Sequence, residues 1–221
     1  MVHLNKLGKY ELYSLLDYGR DLLTKIYLEE SAHPMTQTET SVLLQFKEVN
    51  QETWADLERL FEGRGGPKNC WCMVWRATPA ESKEVSGQKR KAALKHRVDE
   101  RTPIGILGYQ GQEPVAWCSI APRPTYRRLG GIEDEAQENV WAIACFYVVR
   151  RLRGFGITRQ LIDAAVTQAK RNGATIVEAY PVEPDSPSYR FMGFVESFKA
   201  AGFEEVGRAG SRRHIFRRRV G

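Results

Sequence analysis

Residues 148–162, VVRRLRGFGITRQLI, set Arg150, Arg151 and Arg153 just ahead of two glycines, Gly154 and Gly156. An apolar run precedes them and an amphipathic run follows, so the segment reads as strand, turn and helix. The first amides of a helix lack intrahelical acceptors, and aligned peptide dipoles add partial positive charge there. Glycine lets the backbone approach a guest closely. A turn of this composition suits phosphate, with the arginines adding charge at its rim. The plainer alternative is an ordinary helix start beside a solvated basic face. Glu178, in TIVEAYP, is the second position able to do chemistry. A carboxylate in a central strand is costly unless it is paired. Unpaired burial would favour its protonated form and suit a general base; pairing with Arg190 or Arg151 would make it a structural acid.

The elements that must position these residues follow from pattern. The chain has 221 residues, of which 42% are hydrophobic and five are tryptophan. That is enough for one sizeable core. Residues 4–30 carry Leu, Tyr and Ile at helical spacing, and 31–41, SAHPMTQTETS, read as a polar linker broken by Pro34. We expect 1–41 to be a helical arm and linker. It suits dimerisation or capping, or is an extension upstream of a start at Met35.

From residue 42 the texture is that of a single domain running to 221. SVLLQFKEV reads as a strand and NQETWADLERLFEG as a helix opened by an Asn or Thr cap. CWCMVW reads as a strand with Cys70 and Cys72 on one face and Trp71 on the other. ESKEVSGQKRKAALKHRVDE reads as a solvated helix, and IGILGYQGQEPVAWCSIAPR as a hairpin about GQE. After a polar loop (127–138) come the strand NVWAIACFYVV, the glycine turn, the helix GITRQLIDAAVTQAKRNG and the strand ATIVEAYPV. The short helix FVESFKAAG and the strands FEEVGR and RHIFRR close the chain. This is an α+β order, mostly antiparallel, with one strand–turn–helix–strand crossover near its middle.

Several classes fall away on composition. No apolar run approaches the roughly 18 residues of a membrane span. The start MVHLNKLGKY lacks a signal pattern, so a cytoplasmic location is expected. The four cysteines show no zinc-ligand spacing; buried free thiols and no metal are expected. The net charge of +6 suits an anionic ligand but is too diffuse to argue nucleic acid. RRHIFRRR near the C-terminus reads as an exposed edge strand guarded by charge. A dinucleotide fingerprint would want glycine at 159, which is Arg, and a phosphate loop ending in GK[ST] is absent.

RLRGFG, residues 151–156, fits [Q/R]-x-x-G-x-[G/A] between strand and helix, and FKAAGF, 198–203, is similar to a closing Y-x-x-x-G-F segment. With the order of elements over 43–217, about four-fifths of the chain, the sequence resembles the GNAT superfamily of N-acetyltransferases. The pair CWCM-W and VEAYPV resembles a bacterial subgroup of it. The resemblance implies a mixed sheet between helices with splayed central strands. It implies transfer of an acetyl group from acetyl-coenzyme A, without a metal, to a primary amine of a small molecule or protein.

On that resemblance the amides of Arg153, Gly154, Phe155, Gly156 and Ile157 would face the pyrophosphate, with Arg151 at the rim. Phe146 and Val148 would lie along the pantetheine arm, bound through the backbone like an added strand, and a parted-strand N–H would face the developing oxyanion. The superfamily's tyrosine acid falls at Phe198, which cannot donate. Tyr180 and Tyr189 are the nearest replacements by region, each equally a core-edge aromatic. Glu178 remains the candidate base, with Asp134 and Glu138 as acids able to steer a cationic amine. Trp75 and the other tryptophans read as core, or as a wall for a flat acceptor. The missing tyrosine keeps a non-catalytic acyl-coenzyme A sensor open as the alternative.

Overall fold

A computed structural model of the chain describes residues 42–132 and 139–221. The arm and linker expected for 1–41, Met35 among them, and the acids Asp134 and Glu138 lie outside the described residues. A seven-stranded sheet forms the centre: β1 (Gln45–Glu48), β2 (Ile106–Gln110), β3 (Glu113–Pro122), β4 (Val140–Val148), β5 (Ile176–Ala179), β6 (Glu204–Ala209) and β7 (Arg213–Arg219). Their spatial order is β1-β2-β3-β4-β5-β7-β6. Every neighbouring pair is antiparallel except β4 with β5. The expected mixed, mostly antiparallel sheet is therefore present.

Helices cover both faces, which is why β3 reads as an almost unbroken apolar run rather than an alternation. Successive strand residues point to opposite faces, and Trp117 and Cys118 show the division. Trp117 packs with Leu57, Phe61 and Leu94 of α1 (Trp54–Glu62) and α2 (Gly87–Asp99). Cys118 packs with Ile157, Leu161 and Ala165 of α3 (Ile157–Arg171) and with α4 (Val195–Ala200). At the entry to α1, the Asn50 side chain accepts the N–H of Glu52 and Thr53 at 2.9 and 3.1 Å.

Two details shape the middle of the sheet. Ser119 pairs with Cys145 and Ile120 with Ile143, so Ala144 is an extra residue bulged out of β4. β5 pairs with β4 only over Val140–Ile143, while β4 continues to Val148 against β3 alone. The parallel pair therefore comes apart beyond Ile143 and Ala179.

Two expectations need correcting. CWCMVW is not a strand: Trp71 and Met73 lie in successive turns, their N–H groups donating to the carbonyls of Pro67 and Cys70 at 3.0 and 2.9 Å. Trp71 and Cys72 adopt φ of 45° and 52°. In these turns Trp71, Cys72 and Met73 are buried in succession. RRHIFRRR is not an edge either. β7 lies between β5 and β6, and its arginines are drawn inward, Arg213 over the rings of Trp75 and Tyr189 and Arg217 onto Glu178.

Leu161 is wholly buried between α3 and the sheet. Leu161→Ala is expected to lower the unfolding free energy by about 2–5 kcal/mol in urea titration. Val206→Ala, on the half-exposed edge strand, is expected to stay within about 0.5 kcal/mol of the parent. Equal effects would contradict the placement of the core.

Candidate active site

The glycine turn is built from anchors at its two ends. β4 runs out at Val148 into a 3-10 turn, Arg150–Leu152, whose Leu152 is buried; Ile157, the first residue of α3, is buried too. Between them residues 153–156 are exposed. Gly154 and Gly156 have φ of 87° and 70°, and a Cβ on either would meet nothing within 4 Å. Backbone conformation rather than crowding therefore calls for glycine. Among the described residues, none accepts the N–H groups of Gly154 to Thr158. The first turn of α3 carries no acid and no side-chain cap. Five donors are thus left open beside the positive end of a fifteen-residue helix.

A cleft of about 790 Å³ leads from this turn into the gap between the parted strands. Gly154, Gly156, Thr158 and Arg159 form its outer end, and Ala144 to Val148 of β4 form its floor. Val149 donates its N–H to Val115 of β3 at 3.0 Å. By strand alternation the N–H and C=O of Phe146 and Val148 face away from β3, toward the gap. Arg153 lies at the mouth, its Nε donating to the Val148 carbonyl at 3.0 Å. Arg151 turns elsewhere, to Glu113 at 2.6 Å, and Phe155 is exposed; neither lines the cleft.

The inner end is aromatic, thiol-lined and basic. Trp75, Tyr147 and Phe191 contribute there, with Cys70, Cys72 and Cys145. Among the described lining residues there is no carboxylate. Ser119 opens on the cleft and is held from behind by Arg76, whose Nη2 donates to Ser119 Oγ at 2.9 Å and to the Tyr126 hydroxyl at 2.7 Å. Arg76 is buried, and burial pulls its pKa below the usual range. Among the described residues it has no carboxylate partner, and its Nε and Nη1 have no hydrogen-bond partner. The Tyr126 ring, 4.1 Å from the guanidinium carbon, carries part of the charge. Burial lifts the Tyr126 phenol to about 12, so it keeps its proton. The Trp75 indole N–H is likewise buried without a partner among the described residues.

The residues expected to move protons sit apart from this cleft. Glu178 is fully buried on β5, and its partners are Arg123 at 3.1 Å and Arg217 at 2.6 Å rather than Arg190 or Arg151. Tyr180 donates its hydroxyl to the same carboxylate, and burial first, then the Glu178 charge, pushes the phenol's pKa well up. Gly131 closes over the group, where a Cβ would come within 2.2 Å of Glu178 Oε1. Neither Glu178 nor Tyr180 lines the cleft. Tyr189 does not line it either; φ is 61° there, and its ring packs near Trp75 and Phe191. Phe198 is core, packed on Phe146 and Phe203.

Sequence reasoning passed over Ser119, Tyr147, Cys145, Arg190 and Ser197 as cleft residues. Alternation along β4 sets Tyr147 and Cys145 on the face opposite Phe146 and Val148, so only the unpaired strand edge brings all four to one cleft. Ser119 had the weak signal of a hydroxyl inside a buried strand. The cysteines were expected to be buried thiols; all four are free, but Cys70 and Cys145 are only partly buried. No group of three or more His, Cys, Asp or Glu among the described residues could hold a metal ion. No helix there is long and apolar enough to cross a membrane.

With this geometry in place, comparison with known proteins gives a consistent answer. A model of the Acetyltransferase (GNAT) family matches residues 69–194, more than half of the chain. No curated protein matches the sequence. Among solved structures, yncA from Salmonella typhimurium, with its cofactor acetyl-CoA, is 13% identical with a TM-score of 0.50, covering 80% of this chain and 94% of that one. An N-acetyltransferase from Staphylococcus aureus Mu50 is 12% identical with a TM-score of 0.50, over 81% and 99%. The ribosomal-protein-S5-alanine acetyltransferase of Vibrio fischeri is 10% identical, again at 0.50, over 80% and 92%. At such identities the likeness is one of fold.

The Glu178 cage generates a prediction of its own. Glu178→Gln would leave Arg123 and Arg217 facing a neutral amide in a buried setting, and is expected to lower stability by about 3 kcal/mol in denaturant titration. Unchanged stability would contradict the reading of Glu178 as the centre of a structural ion-pair cluster.

Proposed function

The chain belongs to the GNAT family of acetyltransferases, and from that premise we propose that it transfers an acetyl group from acetyl-coenzyme A to a primary amine by direct attack on the thioester. Residues 42–221 make up the acetyltransferase domain in this reading. The observation that carries it is the row of five amides at the start of α3 that no described residue accepts, beside a cleft whose floor is a strand edge unpaired among the described residues. The first feature fits a diphosphate and the second fits an amide-bearing arm, and the two lie in the order that coenzyme A requires.

The amides of Gly154 to Thr158 would hold the diphosphate, with the Arg153 guanidinium at the rim. The main chain of Phe146 and Val148 would pair with the pantetheine amides as an added strand. The thioester carbonyl would then lie where β4 leaves β5, within reach of a β4 N–H able to stabilise the developing oxyanion. The amine attacks in its neutral form; the C–N bond forms, the C–S bond breaks, and the proton that the nitrogen loses balances the one that the departing coenzyme thiolate takes up. Glu178, Tyr180 and Tyr189 take no part in that step in our reading, because none lines the cleft. Tyr147 and Ser197, which do, carry the hydroxyls we assign to protonating the thiolate.

The acceptor's character follows from the inner end. The Trp75 N–H without a partner, the Arg190 side chain and the Arg76 charge behind Ser119 favour an amine that also carries an anionic or hydrogen-bond-accepting group. A second reading, a sensor that binds acyl-coenzyme A without turnover, draws on Phe198 and on the lack of a lining carboxylate among the described residues.

Calorimetry and thiol release together test the proposal. The parent protein is expected to bind acetyl-coenzyme A. Gly154→Glu, which sets a carboxylate against the phosphates at a position with φ of 87°, is expected to weaken binding at least a hundredfold. Coenzyme A release is expected to depend on added amine, with amino acids preferred over polyamines. Binding without turnover on any amine would establish the sensor instead; absence of binding by the parent would overturn both.

A further inference from the structure

Three of the four cysteines converge at the inner end of the cleft from segments far apart in sequence. Cys70 and Cys72 belong to the turn-rich segment after α1, and Cys145 follows the bulge in β4. The Cys72 thiol donates to Cys145 Sγ across 3.3 Å. The Trp117 indole N–H donates in turn to Cys72 Sγ at 3.1 Å. Trp117 is wholly buried and Cys72 nearly so, whereas Cys145 is partly exposed to the cleft. Nothing in the acetyl-transfer reading uses these sulfurs, and no metal-holding group accounts for them among the described residues.

We propose that Cys72 and Cys145 are an oxidative modification site, converted by hydrogen peroxide into a disulfide that spans the inner end of the cleft. Cys145 reacts first because it is partly exposed where Cys72 is buried. It attacks one peroxide oxygen, the O–O bond breaks, and the leaving hydroxide takes the thiol proton to depart as water. This leaves Cys145 as a sulfenic acid. Cys72 sulfur then attacks Cys145 sulfur; the S–S bond forms, the S–O bond breaks, and the departing hydroxide leaves with the Cys72 proton as a second water. Two thiols are oxidised by two electrons and one peroxide is reduced to two waters.

Geometry favours the second step over competing ones. The sulfurs need to close from 3.3 Å to about 2.05 Å. Cys72 sits in turns rather than in a strand ladder, so no ladder hydrogen bond has to break for its sulfur to move. The partner is already held in contact by hydrogen bonds, which replaces a bimolecular encounter by an internal one. Cys70 is the competing thiol, but its Sγ donates to the Pro67 carbonyl at 3.6 Å, whereas the sulfur in contact with Cys145 is that of Cys72. Cys118 lies on the other face of the sheet, in the core against α3.

The chemical consequence stands on its own, while its effect on turnover rests on the acetyl-transfer reading above. The bridge would draw the 70–75 segment onto the bulge of β4, where the acyl group and amine would meet. Intact protein treated with hydrogen peroxide, then mapped by mass spectrometry under non-reducing conditions, tests the site. The expected result is a mass lower by two hydrogens and a single linked peptide pair joining Cys72 to Cys145. Turnover should fall at least tenfold on oxidation and return with dithiothreitol. Cys72→Ser should lose both the linkage and the reversible response, whereas Cys118→Ser should retain both. A Cys70–Cys72 linkage, sulfonic acids without a bridge, or an unmodified pair would overturn the proposal. Should no amine support turnover, the peptide map still decides it.

Discussion

A peptide backbone cannot leave its donors and acceptors unmatched without cost, and this fold keeps two sets of them open side by side. Beyond Ile143 and Ala179 the parallel pair β4–β5 comes apart, so β4 reaches Val148 with one edge unpaired. A few residues on, α3 starts with five amides that no described residue accepts. Each opening is ordinary alone. Their adjacency is what creates a slot able to take an anion at one end and an extended, amide-bearing chain along its floor.

The surroundings keep the slot open. On β5 a buried carboxylate gathers Arg123, Arg217 and the Tyr180 hydroxyl, fixing β5 to β7 just before the parting. Against β3 the buried guanidinium of Arg76, without a carboxylate among the described residues, leans on Tyr126 and Ser119. Buried charge costs several kcal/mol unless it is well satisfied. The two clusters solve the problem differently, one with opposite charges and one with neutral acceptors and an aromatic ring. The second leaves a positive potential behind the inner end of the cleft, which bears on what enters it.

Much of this was legible in residue order. Strict spacing in RLRGFG, an apolar run before it and an amphipathic one after placed the turn between β4 and α3, because helix and strand periods are local properties. The hairpin about Gly111 and the closing strands were legible for the same reason. What escaped depends on distant partners. CWCMVW looks like a strand because a short apolar run has the same local signature whether extended or wound. Only packing of Trp71 against Trp54 and Phe61 decides it. RRHIFRRR looks like an edge because charge usually marks one, yet Arg217 is spent on Glu178, 39 residues away. Glu178 stood out correctly as an expensive carboxylate, but its partners were misread, since Arg123 arrives from the far end of β3. The thiol cluster was invisible for the same reason, Cys72 and Cys145 being 73 residues apart.

The central claim is that the open amides of α3 and the open edge of β4 receive coenzyme A directly. Titrating acetyl-coenzyme A into nitrogen-15-labelled protein and following backbone amide resonances tests it at the atoms concerned. The account predicts saturable shifts concentrated at Gly154 to Thr158, Phe146 and Val148, larger than anywhere else in the sheet. Saturable binding that moves amides elsewhere while leaving these seven in place would contradict it.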